Sequence, residues 1–266
     1  DSLRRIVEKR LGDIDYIIES PRFATGDLPE RIRRAPSFSD AFIDARPYLT
    51  TTGVCIETRQ NALAAQVNVF GSESIPAGGC VISRRLADQL RIRDDGVGPD
   101  KKTTVVVRMD PKRYVSAGLP VGRDRTNAAL LRLTVLRIAG SGDFEDAFST
   151  YGSQRPVKNI WTSLADLQSA LDAPNAANLI AVSSHPGIDP SDGADRLKKL
   201  LAESASFEDY GLFFRQGYSS CAAPGNENDV VLESSDLLLP VAAGKTLEAA
   251  FPESSAGVMA YVVDTI

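Results

Sequence analysis

Cys80-Val81-Ile82-Ser83-Arg84-Arg85-Leu86-Ala87-Asp88-Gln89-Leu90 reads as a strand that leads directly into a helix. The three apolar residues at its start are strand-sized, and Leu86 and Leu90 then fall on one helical face. A polar turn over 93–102 precedes 103–108, which is short and β-branched and so predicts a second strand. Leu131, Leu133 and Val135 alternate with Arg132 and Thr134, the signature of a half-buried strand. Between them, 109–128 is rich in Pro, Gly, Arg and Asp and predicts a long surface loop.

The pattern extends outward on both sides. Upstream, Leu3, Ile6, Val7 and Leu11 predict a helix capped by Ser2 and closed by Gly12. A short strand is predicted over 15–19, then a loop-rich stretch over 22–51 with a helix near 28–32. Strands follow at 53–57 and 64–70. Downstream, a second long loop over 140–158 ends in a brief strand, Asn159-Ile160-Trp161. A helix over 162–172 follows, capped by Thr162 or Ser163 and striped by Leu164, Leu167 and Leu171. A strand at 178–183 and a helix at 191–204 come next, with Leu197, Leu200 and Leu201 facing inward and Asp189 or Ser191 before the helix. Strands at 211–215 and 229–232, a helix at 244–250 and a strand at 258–263 complete the reading. Strands and helices mix without a regular βαβα rhythm, which predicts an α+β fold.

Bulk composition narrows the function classes. With 266 residues, 43% hydrophobic and 24% charged, the chain can form one large domain or two small ones with a true core. A formal charge of -5 with no basic stripe disfavours nucleic acid as a partner. The longest apolar runs, Leu237-Leu238-Leu239 and 258–263, are far short of the ~20 residues that span a bilayer. Beginning at Asp1 rather than Met, the chain is expected to be a piece of a longer protein.

Candidate chemistry is sparse. Cys55, Cys80 and Cys221 are too far apart for a CxxC zinc or redox motif; they are expected to be small core residues, with at least one thiol free. Cys221, beside Ser219 and Ser220, has no partner base. His185 is the single histidine, so no His-based metal cluster can form. A Ser/His/Asp triad would have to use it, but it lies in the turn Ser183-Ser184-His185-Pro186-Gly187 without a GxSxG elbow; an exposed loop histidine is expected. Ala243-Gly244-Lys245-Thr246 has the end of a P-loop, yet Leu239 stands where the first glycine belongs, leaving Lys245 a solvated side chain at a helix start. Asp143, Glu145 and Asp146 could pair for acid–base work or bind a hard cation, and Asp143 and Glu145 alternate like the first ligands of a calcium loop, but Ala147 and Phe148 occupy the next donor and the turn glycine. A solvated acidic loop is expected there. Trp161, Tyr210, Phe213 and Phe214 are expected in the core.

Several stretches in order resemble FtsX-like ABC transporter permeases. Ser2-Leu3-Arg4-Arg5-Ile6-Val7-Glu8-Lys9-Arg10-Leu11-Gly12 through Tyr16 is similar to the segment after the first membrane helix of that family, with Pro21-Arg22-Phe23 in the place of a following "RFF". The 80–90 stretch resembles a strand–helix element of the family, and 103–108 and 131–138 resemble its two following strands. Lys158-Asn159-Ile160-Trp161-Thr162-Ser163-Leu164-Ala165-Asp166-Leu167-Gln168 resembles "NaFVPLatLQ", and 175–182 resembles the strand after it. The closing 237–266 is similar to the last stretch before the second membrane helix. The three cysteines and the long turn over 94–102 depart from the family pattern.

The resemblance implies an extracytoplasmic, periplasmic domain of an inner-membrane permease, like the MacB-type periplasmic core. It implies a mixed α/β base (Porter-like), residues 1–90 with 172–266, carrying an inserted β-rich (Sabre-like) subdomain, residues 91–171. Its partners would be flanking transmembrane helices of the same permease, a separate cytoplasmic ABC ATPase and a periplasmic or lipoprotein partner. No catalytic residue, cofactor or metal is implied. Loops 109–128 and 140–158 are the expected contact surfaces. The alternative is a free-standing hydrolase-like enzyme using His185 or a loop carboxylate pair, and a third reading is a scaffold for other envelope proteins.

Overall fold

One strand organises the structure. β2 (Phe42–Glu57) runs for 16 residues and joins two different sheets. Its first part pairs antiparallel with β8 (Ala176–Ser184), which in turn pairs with β1 (Tyr16–Thr25). From Leu49 onward it pairs with β3 (Ala62–Ser72), and from Gly53 its other edge pairs with β5 (Thr104–Met109). The circuit closes through β6 (Ala129–Ile138), β4 (Gly79–Ile82) and β7 (Asn159–Ser163), giving a barrel in the order β2-β3-β7-β4-β6-β5. This computed structural model describes residues 12–98, 101, 103–109, 128–150, 157–216, 230–234 and 241–252. The chain is an α+β fold, as its pattern predicts.

Three cores follow from how β2 places its side chains. Leu49 and Cys55 point into the barrel, where Val67, Val69, Ile82, Val107, Leu133 and Ile160 are fully buried. Leucines of α2 (Arg84–Leu90) and α4 (Leu164–Ala170) pack onto that interior. Phe42 and Ala45 join a second core with α1 (Leu28–Arg34) and α5 (Pro190–Ser204) against the β1–β8 sheet. Tyr48 faces a third core, with Leu179 and Ala181 of β8 meeting Phe70, Val81 and Trp161. Each buried aliphatic or aromatic side chain contributes about 1.5–3 kcal/mol.

The differences from the sequence reading have local causes. β1 is twice the predicted length because its ladder slips between Glu19 and Ala24, around Pro21, before resuming; the slip hides the strand's second half from a period-two pattern. β2 begins inside the stretch predicted as loop-rich. Its burial does not alternate, since it passes from a two-faced sheet into a barrel, and Pro47 sits in it two residues before the β3 ladder starts at Leu49. Thr162 and Ser163 belong to β7, and Ser163 makes no side-chain capping bond to α4. The predicted cap Asp189 does accept from the N–H groups of Ser191 and Asp192. The expected division at 90 and 171 runs across the barrel: β2, β3 and β4 from one side of it share ladders with β5, β6 and β7 from the other.

The described residues up to 205 form one unit and those from 206 a second. In the second, β9 (Leu212–Gln216) and β10 (Val230–Ser234) pair antiparallel, and α6 (Val241–Ala250) is the remaining helix. Tyr210, Phe213 and Phe214 are exposed there, against expectation, whereas Trp161 of the first unit is buried; short strand runs do not tell a covered face from an open one. The predicted N-terminal helix, Cys221 and the strand at 258–263 lie outside the described residues, as do most of loop 109–128 and residues 151–156 of the second loop.

Candidate functional site

The acidic stretch folds back onto the barrel. After β6 the chain turns at Gly140 into α3 (Phe144–Ala147), preceded by Asp143. Asp143 accepts the Gly140 N–H at 2.9 Å and pairs with Arg137, which also reaches Glu145 at 2.8 Å. The Gly140 backbone N–H, followed by the Arg137 guanidinium, holds the Asp143 carboxyl below its usual value. Asp146 turns the other way and accepts the N–H of Arg84 at 2.7 Å, at the start of α2. Asp143 and Glu145 therefore share the Arg137 guanidinium while Asp146 serves a backbone N–H of α2, so the three do not converge on one point. Among the described residues no group of three or more His, Cys, Asp or Glu side chains is placed to hold a metal ion.

Phe144 and Phe148 pin the same loop. Both lie against Trp161, at ring-centroid distances of 5.1 and 5.4 Å, and Trp161 stacks on Phe70 at 4.5 Å. Asn159 donates to the carbonyl oxygens of Phe148 and Glu145. The first half of loop 140–158 is thus a clamp on β7, not a solvated acidic loop.

His185 is exposed, as expected, and its Nε2 lies 3.2 Å from the Ser39 carbonyl oxygen. The adjacent Ser184 hydroxyl donates directly to Asp15 at 2.8 Å. A triad needs the imidazole between hydroxyl and carboxylate; here the hydroxyl bypasses it. Lys245 is exposed in the middle of α6, not at its start.

Cys55 and Cys80 are free thiols buried in the barrel. Burial pushes Cys55 up to about 12 and raises Cys80 well above its ordinary value, with Cys55 adding to the latter. Neither is a ready nucleophile at neutral pH.

One surface feature escaped the sequence pattern. On the outside of the barrel, Leu63 stands opposite Ile56, Ile56 opposite Val106, and Leu130 opposite Arg108. Leu63 and Leu130 are among the most exposed large apolar residues of the first unit. The uninterrupted Val105-Val106-Val107 run was the available signal, since an alternating strand would have carried a polar residue at 106. Among the described residues no helix is long and apolar enough to cross a membrane.

No family model matches the chain, and no curated protein matches it. Among solved structures, it is similar to the periplasmic region of MacB from Actinobacillus actinomycetemcomitans at 8% identity and a TM-score of 0.44, over 95% of this chain and 100% of that one. It is also similar to the extracellular domain of the noncanonic ABC-type transporter YknZ from Gram-positive bacteria, at 9% identity and a TM-score of 0.43, over 71% of this chain and 94% of that one.

Proposed function

We propose that this chain is the extracytoplasmic domain of an FtsX-like ABC transporter permease and has no catalysis of its own. It couples ATP hydrolysis by a cytoplasmic ATPase to movement or extraction of a substrate, or contacts a periplasmic partner. The observation that carries this reading is the order of the resembling segments: they fall on β4 with α2, then β5, β6, β7 with α4, and β8, each on a defined element of the fold. In this reading the barrel is the β-rich portion, and the β1–β8 sheet with α1 and α5 is the base.

The shared strand supports a mechanical role. At about 3.3 Å per residue, β2 makes a continuous strut from base to barrel, so a displacement of one is delivered to the other without a hinge. The deciding experiment is the sequence of the parent gene across both ends of this chain. Apolar spans of about 20 residues before Asp1 and after Ile266 are expected. Polar sequence on both sides would overturn the reading and favour a free-standing protein.

A further inference from the structure

A cavity of about 650 Å³ opens at the end of the barrel where the β2–β3 turn meets the chain leaving α2. Its volume lies within the range of small-molecule sites. Three arginines line it from two separate segments: Arg59 on the turn, and Arg91 and Arg93 just after α2. All three residues are exposed, and among the described residues none is in an ion pair. The neighbouring Asp94 is engaged by Arg84 through two bonds of 2.9 and 3.0 Å, which keeps its charge off this group.

The backbone holds Arg91 in an unusual way. It is the C-cap of α2 with φ 58° and ψ 31°, a left-handed conformation in which its N–H bonds back to the Ala87 and Asp88 carbonyls. Glycine is the ordinary residue at such a helix end, because a side chain there crowds the following carbonyl. Gln60 donates to the Arg91 carbonyl oxygen from across the cavity. A cation at a helix C-terminus is favoured by the helix dipole, but the dipole accounts for neither the cavity nor Arg59.

The carboxylates of the site divide into two kinds. Glu57 is buried and accepts the Gln60 N–H at 2.6 Å, so it is turned into the turn that bears Arg59. Asp88 and Asp95 are exposed on the lining. Guanidiniums beside open carboxylates suit a ligand that carries a phosphate and an ammonium close together.

We propose that this cavity binds a phosphate ester bearing an ammonium group, with Arg59, Arg91 and Arg93 on the phosphate oxygens and Asp88 and Asp95 on the ammonium. The site stands independently of the permease reading, as it uses only these side chains. Such a headgroup can come from a soluble ester or from a lipid.

Titration calorimetry of the 266-residue chain with O-phosphoethanolamine tests it, with inorganic phosphate and phosphatidylethanolamine vesicles as further arms. Saturable binding of phosphoethanolamine, tighter than that of inorganic phosphate, is expected. Arg91→Gly should weaken it by about tenfold or more while the melting temperature stays level or rises, since glycine relieves the backbone. Arg93→Gln should weaken it similarly. Vesicle binding that depends on Arg91 without binding of the soluble ester would assign the ligand to lipid. No saturable binding in any arm, or unchanged affinity in Arg91→Gly, would overturn the proposal.

Discussion

The indole N–H of Trp161 donates to the carbonyl oxygen of Glu145 at 3.0 Å, tying the middle of β7 to the short helix α3. The same ring stacks on Phe70 and touches Tyr48 edge-on. Trp161→Ala removes both the bond and the stack and is expected to cost about 3–5 kcal/mol. Trp161→Phe keeps most of the packing and loses the bond, for about 1 kcal/mol. Urea unfolding of the two variants separates the contributions; no loss in Trp161→Phe would show that the hydrogen bond does nothing.

Ser83 is fully buried and serves three partners. Its hydroxyl accepts from Leu86 N–H at 3.4 Å and Asn159 N–H at 3.0 Å, and donates to the Val157 carbonyl at 3.3 Å. Ser83→Ala should cost about 2 kcal/mol, combining a lost N-cap with an unsatisfied buried N–H. Loss of less than half a kcal/mol (about 0.5) in the same unfolding measurement would contradict these roles.

Gly53 stands where β2 begins to pair with β5. A Cβ there would lie 2.6 Å from the Arg108 carbonyl oxygen and 3.1 Å from Met109 Cγ. Gly53→Ala therefore has to push the β2–β5 seam apart, at an expected cost of about 1–3 kcal/mol. Faster hydrogen exchange at Val54, Cys55 and residues 107–109 should accompany it. Unchanged exchange across the seam would refute the account.

The buried thiols set an alkaline limit. Cys55 is raised from 9.0 to about 12 in the folded chain. A raised acid favours the protonated native state, so its contribution is complete below the unfolded value and is lost as pH climbs from there through the folded one. Stability should fall over that window, and less steeply in Cys55→Ala. At pH 8 iodoacetamide should label Cys55 and Cys80 in urea but not in the native chain, as read by peptide mass spectrometry. Native labelling at comparable rates would sink the prediction.

Much of the fold was legible wherever one face of an element is wet. Leu131, Leu133 and Val135 announce β6 because their neighbours meet solvent, and Leu86 and Leu90 announce α2 for the same reason. β2 was not legible over 42–52: a strand that changes partners midway buries both faces in turn, and Pro47 reads as a breaker. The acidic loop misled in another way. Its carboxylates are half-buried and bonded, and what anchors it is Phe144 and Phe148, whose partner Trp161 is distant in sequence. The cavity had no signature at all, since nothing in the sequence reveals that Arg91 adopts a left-handed backbone.

The shared strand has a further consequence. A barrel and a sheet that meet through a loop can be separated by cutting it, and each half then melts on its own. Here the strand that closes the barrel is also the sheet strand that carries Phe42 and Ala45. Excision of residues 91–171 would leave β2 with an unpaired edge and an opened barrel wall, while removal of β2 would dismantle both bodies together. The first unit is thus expected to unfold as a single cooperative block, and evolution could lengthen its surface loops freely but could not trade its barrel for another without rebuilding the base.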